Sequence, residues 1–208
     1  DTASAVVVAD SPEGLVALTV PTPALDARTV QGVDPSSGLR VVDGHDLGVT
    51  GSRAVDDVWP EAVAAARLAL AHELVGSARR MLELAREHAL EREQFGRPVA
   101  GFQAVRHRLA ETLVAIETAE ALIDAAWLDG TARTAAMAKA EAGREARVVS
   151  KHCQQVLAGI GFTTEHELHH HVRRVLVLDA LFGTAKALTA ELGAELARSR
   201  RLPPLLPL

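Results

Sequence analysis

The sequence predicts a mainly α protein: an antiparallel helical bundle preceded by part of a β domain. Three observations carry this. Residues 1–58 are rich in Val, Thr, Gly, Pro and Asp, with short β-branched runs between turn signals. After Trp59 and Pro60 the texture changes to Ala and Leu at helical spacing, with almost no proline until the tail. The breaks between the long periodic runs are short, so successive helices return antiparallel and share one buried seam.

Four strands are expected in the first region, at "SAVVVA", "LVALTV", "RTVQGV" and "LRVVDG", separated by "DSPEG", "PTPALD" and "DPSSG". Four is few for a closed barrel, so this is read as a fragment of a β domain. In the first helix, about 61–93, Leu70, Leu74, Met81, Leu84 and Ala85 recur at steps of three, four and seven, and "FGRP" stops it. The second, about 99–129, carries Phe102, Val105, Leu109, Leu113, Ile116, Ile123 and Trp127 on one predicted face and ends at Asp129-Gly130. A third, about 131–158, places Ala136, Lys139, Ala140 and Gly143 where close approach is wanted, before "AGIGFTT" breaks it. Two shorter helices, about 166–182 and 184–198, flank Gly183, and "RLPPLLPL" is a proline-rich tail. The domain division is therefore 1–58 and 59–208.

Composition narrows the function. The 208 residues are 48% hydrophobic, ample for a packed core. With 22 basic and 27 acidic residues well mixed, and a formal charge of −5, there is no basic face for nucleic acid and no polybasic membrane patch. No apolar run approaches the length of a membrane span, and no secretory signal opens the chain. The single cysteine, Cys153, forbids an intrachain disulfide and suits the reducing cytoplasm. The chain opens at Asp1 inside what reads as a strand, which suggests that it continues upstream.

Residues 166–170, HELHH, fit the HExxH pattern, in which His166 and His170 would bind zinc and Glu167 would act as general base. Glu191 lies 21 residues past His170, a spacing used for a third ligand. However, the motif falls in a predicted first helical turn, where ligands are poorly held. Thr163 or Thr164 is a good N-cap and Glu165 and Glu167 suit the positive end of the helix dipole, so capping explains the acids without metal. No metal is assigned; the zinc hydrolase stands as the minor alternative.

Two segments carry more information: "EREQFGRPVAGFQAVRHRLAE", residues 91–111, and "QVLAGIGFTTEHELHHHVRRVLVLDALFGT", residues 155–184. Together they resemble the C-terminal helical domain of the acyl-CoA dehydrogenase family, whose members show an RxQFGxPxxxFQ loop and a QxxGGxGF turn. Residues 1–58 similarly resemble the second half of that family's middle β domain. The physical reading agrees, because both bends place glycines at helix ends, where free N–H groups can face phosphate oxygens. Arg92 adds a permanently charged fork suited to a pyrophosphate.

The resemblance implies FAD as cofactor, reached by Arg92, Gln94 and Phe95 from one subunit while a neighbour holds most of it. It places Gln155 and Gly159 beside the adenosine half. It also implies that Thr184 offers a hydroxyl to FAD, that Lys186 stands where glutamine is usual, and that Arg67 is an active-site arginine facing the acyl-CoA substrate. The family's base, a glutamate, is absent at both of its usual positions. The YEGT-like segment reads Leu181, Phe182, Gly183, Thr184, and the alternative position in the first long helix reads Ala66-Arg67. The catalytic residue is therefore left unassigned. A partner subunit supplies the base, or another carboxylate such as Glu61, Glu73 or Asp179 serves, or the chain no longer catalyses. The expected function is an acyl-CoA dehydrogenase-like flavoprotein subunit, an oxidoreductase of fatty acid or steroid side-chain catabolism, in a homo-oligomer or an α2β2 heterotetramer with a related subunit. A non-catalytic assembly subunit that completes a partner's FAD site is the rival. The variant "GIGFTTEHELHHHVRR" resembles actinobacterial subunits that act on bulky acyl-CoAs such as those of steroids.

Overall fold

A computed structural model describes residues 3–200; the proline-rich tail at 201–208 lies outside the described residues. The chain divides into two compact units, residues 1–63 and 64–208. In the first, β1 (Ser4–Ser11) and β2 (Gly14–Pro21) form an antiparallel hairpin in the register Ser4↔Pro21 to Ser11↔Gly14. A second hairpin pairs β3 (Asp26–Thr29) with β4 (Arg40–Asp43). The third strand of the larger sheet is β5 (Gly51–Ala54), which pairs with β2. It escapes sequence reading because "GSRA" has no β-branched or aromatic residue; its pairing with β2 supplies what propensity does not. Conversely, the expected strand at "RTVQGV" is confined to its first residues, at the end of β3.

The second unit is built almost wholly of helices. α1 (Trp59–Glu91) starts in the last residues of the first unit, and the tiny strands β6 (Glu93–Gln94) and β7 (Arg97–Pro98) follow it. Then come α2 (Gln103–Asp129), α3 (Ala132–Leu157), α4 (Leu168–Ala180) and α5 (Ala185–Ser199). Gly130, left-handed with its N–H bonded to the Ala126 carbonyl, ends α2, and the Thr131 hydroxyl caps α3 by accepting from the Thr134 N–H. α3 is the central element, packed against α2, α4 and α5. Its core face is Ala135, Ala138, Ala142, Ala146, Val149 and Cys153, set against Leu74, Met81 and Ala85 of α1 and Ile116, Ala119 and Ile123 of α2. The small side chains let helix backbones approach closely, and Ala136 and Ala140 do the same for Leu188 of α5.

Two expectations about the helices are corrected. On α2, Ile116 and Ile123 of the expected face are buried and Val105 and Leu109 pack against the core, but Leu113 is exposed and Trp127 is 60% exposed, and Thr112, Ala115, Ala119 and Ala126 complete the buried stripe. Alanines share the contact with the two isoleucines, and the Trp127 indole N–H is satisfied by donating to His72 at 2.9 Å. Neither Thr163 nor Thr164 caps α4. Its N-cap residue is Glu167, with no side-chain cap, and the first-turn Leu168 N–H is taken by His166 Nδ1 at 3.1 Å.

Cys153 is wholly buried, and burial pushes its thiol up to about 12. A maleimide at mild alkaline pH is therefore expected to label the native chain on the order of a thousandfold more slowly than the unfolded chain, since only the thiolate reacts. Rapid labelling without denaturant would show that the α2–α3 core opens.

Candidate functional site

The first bend grows out of the C-terminus of α1. The Arg92 N–H extends the helical ladder to the His88 carbonyl at 2.9 Å, and the Val99 N–H closes the loop on the Arg92 carbonyl at 2.8 Å. Between them, Glu93 pairs with Pro98 and Gln94 with Arg97, leaving Phe95-Gly96 as a two-residue turn. Both turn residues have positive φ, 53° and 77°, as a type I′ hairpin demands. Glycine takes this freely, whereas phenylalanine does so at a cost. The result is a side chain 91% exposed, touching Phe102 only edge-on at 6.1 Å. Arg97 stacks over the Phe102 ring at 4.3 Å from its centroid. Among the described residues the Arg92 guanidinium has no ion-pair partner.

The second bend follows α3. Ala158, with φ 52°, breaks the helix, and a tight 3-10 turn continues through Phe162. The two bends meet. Arg92, Gln94 and Phe95 line a single cleft of about 670 Å³ together with Gln155 and Gly159, with Phe102 and Ile160 adding apolar walls. His88, one helical turn before Arg92, also lines this cleft. Sequence reading missed it, although its position four residues upstream of Arg92 was the available signal. Burial holds its imidazole below the ordinary histidine range, and repulsion from His166 and Arg92 lowers it further.

Thr184 belongs elsewhere. It caps α5, its hydroxyl accepting from the Ala187 N–H at 3.1 Å, and it lines a separate cleft of about 720 Å³ with Arg144, Arg147, Asp179, Lys186 and Thr189. Arg67, from α1, donates from Nε to the Phe182 carbonyl at 3.1 Å. One chain thus carries two separate clefts, with Arg67 beside the turn that leads into the second.

The carboxylates considered as replacement bases are mostly engaged. Asp179 is buried, its Oδ2 taken by Arg147 at 2.7 and 3.0 Å and its Oδ1 by the Ala185 N–H at 2.9 Å. Glu73 is paired with Arg174 at 2.5 Å. Glu61 stands exposed in the first turn of α1. The HELHH carboxylate is also spent: Glu167 accepts from Arg80 at 2.6 Å, which holds it below the usual carboxylate range. His166 precedes α4, whereas His170 lies within it, stacked on His169 at 3.9 Å. Among the described residues no group of three His, Cys, Asp or Glu side chains is arranged to hold a metal ion.

Known proteins share this arrangement of elements. The model of the acyl-CoA dehydrogenase C-terminal domain matches residues 57–197. Acyl-CoA dehydrogenase IpdE2 of Mycobacterium tuberculosis (strain ATCC 25618 / H37Rv) is 38% identical over 109 residues, 52% of this chain and 34% of that protein. Acyl-CoA dehydrogenase FadE34 of the same organism is 42% identical over 121 residues, 55% of this chain and 17% of that protein. Among solved structures, the Tcur3481-Tcur3483 steroid ACAD superposes with a TM-score of 0.84 at 26% identity, covering 96% of this chain and 56% of the other. The matches therefore span about half or less of each relative's length. Since the family's C-terminal model takes in both bends of the first cleft and runs on into α5, the chain belongs to the acyl-CoA dehydrogenase family.

Proposed function

We propose that this chain is the FAD-binding portion of an acyl-CoA dehydrogenase-type oxidoreductase subunit, acting on an acyl-CoA thioester and lacking its own catalytic base. Residues 1–58 are read as part of the family's middle β domain and 59–208 as its C-terminal bundle. The observation that carries the reading is the meeting, in one cleft, of Arg92, Gln94 and Phe95 with Gln155 and Gly159 from a segment some 60 residues away. No local regularity requires that meeting.

The cleft suits a stretch of dinucleotide. An unpaired guanidinium matches a diphosphate by parallel N–H bonds, an exposed phenyl ring offers a stacking surface, and a glycine admits close backbone approach. FAD bound here and completed by a neighbouring subunit supplies the hydride acceptor for the substrate β-carbon. Arg92 would meet the diphosphate, with Gln94 and Phe95 reaching the cofactor beside it. Gln155 and Gly159 border the adenosine half. Thr184 and Lys186, in the second cleft, serve another copy of the cofactor, which accounts for two separate surfaces on one chain. Arg67, oriented by its bond to the Phe182 carbonyl, faces the acyl-CoA.

With phenylalanine at 182, Asp179 and Glu73 engaged by Arg147 and Arg174, and Glu61 exposed in the first turn of α1, a base from a partner subunit is favoured over one from this chain. The likeness to the Tcur3481-Tcur3483 steroid ACAD supports a related subunit as that partner and a bulky, steroid-type acyl chain. The same engaged carboxylates also favour the second reading, a non-catalytic subunit that completes its partner's FAD site. Either assembly acts in the cytoplasm; among the described residues no helix is long and apolar enough to cross a membrane.

The test is Arg92→Ala, purified with any co-encoded partner. Loss of a bidentate charged contact costs about 1.5–3 kcal/mol, so FAD affinity should fall roughly tenfold to a hundredfold. The melting temperature without FAD should be unchanged, because among the described residues the guanidinium makes no ion pair. Visible flavin absorption after dialysis reads the result. A wild-type protein that retains no flavin in any pairing would falsify the flavin reading.

A further inference from the structure

Lys139 lies about two turns into α3 with no exposed surface. Burying an ammonium costs several kcal/mol, and a methionine of similar length would pack there without that penalty. Burial lowers its proton affinity; Asp179 opposes this, while Arg67 and Arg147 add to it. The expected compensation, an ion pair, is missing among the described residues. Among the described residues the Asp179 carboxylate is bound by Arg147 and by the Ala185 N–H, and the Lys139 Nζ donates instead to two main-chain carbonyls, Asp179 at 3.2 Å and Gly183 at 3.3 Å.

Those carbonyls bracket an unusual stretch. α4 stops at Ala180, Leu181 is extended, and Phe182 and Gly183 take φ of 52° and 104° before Thr184 caps α5. Apart from the helical bond that the Thr184 carbonyl accepts from the Leu188 N–H, no main-chain hydrogen bond is made within 181–184. Orphaned carbonyls at a helix end need partners, and here they find cations: Lys139 takes 179 and 183, and Arg67 takes 182.

We infer that Lys139 is a positioning residue: its two carbonyl bonds clamp the Leu181–Thr184 turn from beneath and so present the Thr184 hydroxyl and the first turn of α5 to the second cleft. This rests on the flavin reading above, in which Thr184 meets the cofactor. Lys139 touches no ligand; it acts through Thr184. Nothing in the clamp depends on the side chain at 182, so the turn keeps its shape although the glutamate usual in the family is gone.

The test is a double-mutant cycle on the FAD-carrying oligomer, with FAD as the titrated probe and amide hydrogen exchange as the local readout. Lys139→Met should raise the FAD Kd about tenfold and speed exchange of the 181–188 amides, leaving the α2–α3 amides protected. In a Thr184→Ala background, the same change should weaken FAD by less than about twofold, because both variants disable one contact. Effects that multiply independently overturn the positioning role, as does unchanged exchange in the turn. Lys139→Gln, which keeps a donor at the same reach, should restore part of the affinity; if both variants fail to fold, Lys139 is a folding residue and the inference is wrong. A wild-type oligomer without flavin sinks the flavin reading instead, whereas flavin bound with an unresponsive turn sinks only this inference.

Discussion

Replacing Phe182 with glutamate is expected to create α-proton exchange on an acyl-CoA by a chain that, on the function proposed above, has no base of its own. A positioned general base contributes roughly 10²- to 10⁴-fold, so this is the largest functional change that one substitution here should produce. The backbone can accept it. Phe182 already holds φ 52°, its side chain is 45% exposed, and the bonds that shape the turn come from Lys139 and Arg67 to carbonyl oxygens. The nearby cations also favour an ionised carboxylate, the form that removes a proton. Deuterium incorporation at the α-carbon of a short acyl-CoA in heavy water, followed by NMR, reads the effect in a flavin-loaded assembly whose partner base has been removed, because that base would exchange the proton whatever stands at 182. A folded, flavin-bearing variant that exchanges no faster than wild type would mean that substrate does not reach this turn.

Gly143→Ala is expected to be the most damaging of the small changes. In an open helix interior, alanine would be favoured over glycine by about 1 kcal/mol. Here a Cβ would stand 2.3 Å from Asp179 Oδ1 and 3.3 Å from the Ala185 Cβ. The carboxylate cannot simply swing aside, because it is buried and bound by Arg147 and by the first N–H of α5. Moving it leaves a buried charge short of partners, a loss that outweighs the helix gain; we expect a net destabilisation of about 2 kcal/mol. For a chain of this size the melting temperature should fall by roughly 4–8 °C, with α5 the first element to lose exchange protection. A melting temperature equal to or above wild type would show that α3 and α4 can part at that point without cost.

Both expectations concern one junction, and its parts differ in how legible they were. That position 182 carries no ionisable group is written in the letters "LFGT". Gly143 stands among residues that want close approach, and a salt bridge to a neighbouring arginine is the ordinary state for Asp179, but the letters do not say which arginine. Whether a buried acid is free depends on which cation reaches it, and Arg147 and Asp179 are 32 residues apart. The histidine run shows the same limit. HELHH has metal-ligand spacing only if its residues share a helix, and α4 begins after His166, with Glu167 drawn to Arg80 from another element.

Helix spans in α1, α2 and α3 came within a few residues of those observed, because apolar spacing and Gly or Pro stops act within a turn or two of chain. β5 did not, because its only support is a partner strand more than 30 residues away. On α2 the expected face holds at Ile116 and Ile123 but not at Leu113 and Trp127, for a related reason: alanines and large apolar residues both recur at helical spacing, and only the neighbouring helices determine which stripe is covered.

From the sequence by itself come the helical architecture, the chemical identity of Arg92, Phe95 and Thr184, and the absence of a carboxylate at 182. The tertiary structure decided which of these groups share a surface. It joined the Arg92 loop to the Gln155–Gly159 turn, put Thr184 in another cleft, and tied Asp179 to Arg147. The reason is physical: an apolar stripe records that a helix face will be buried but not against which helix, so meetings between distant segments are settled only when the packing is complete.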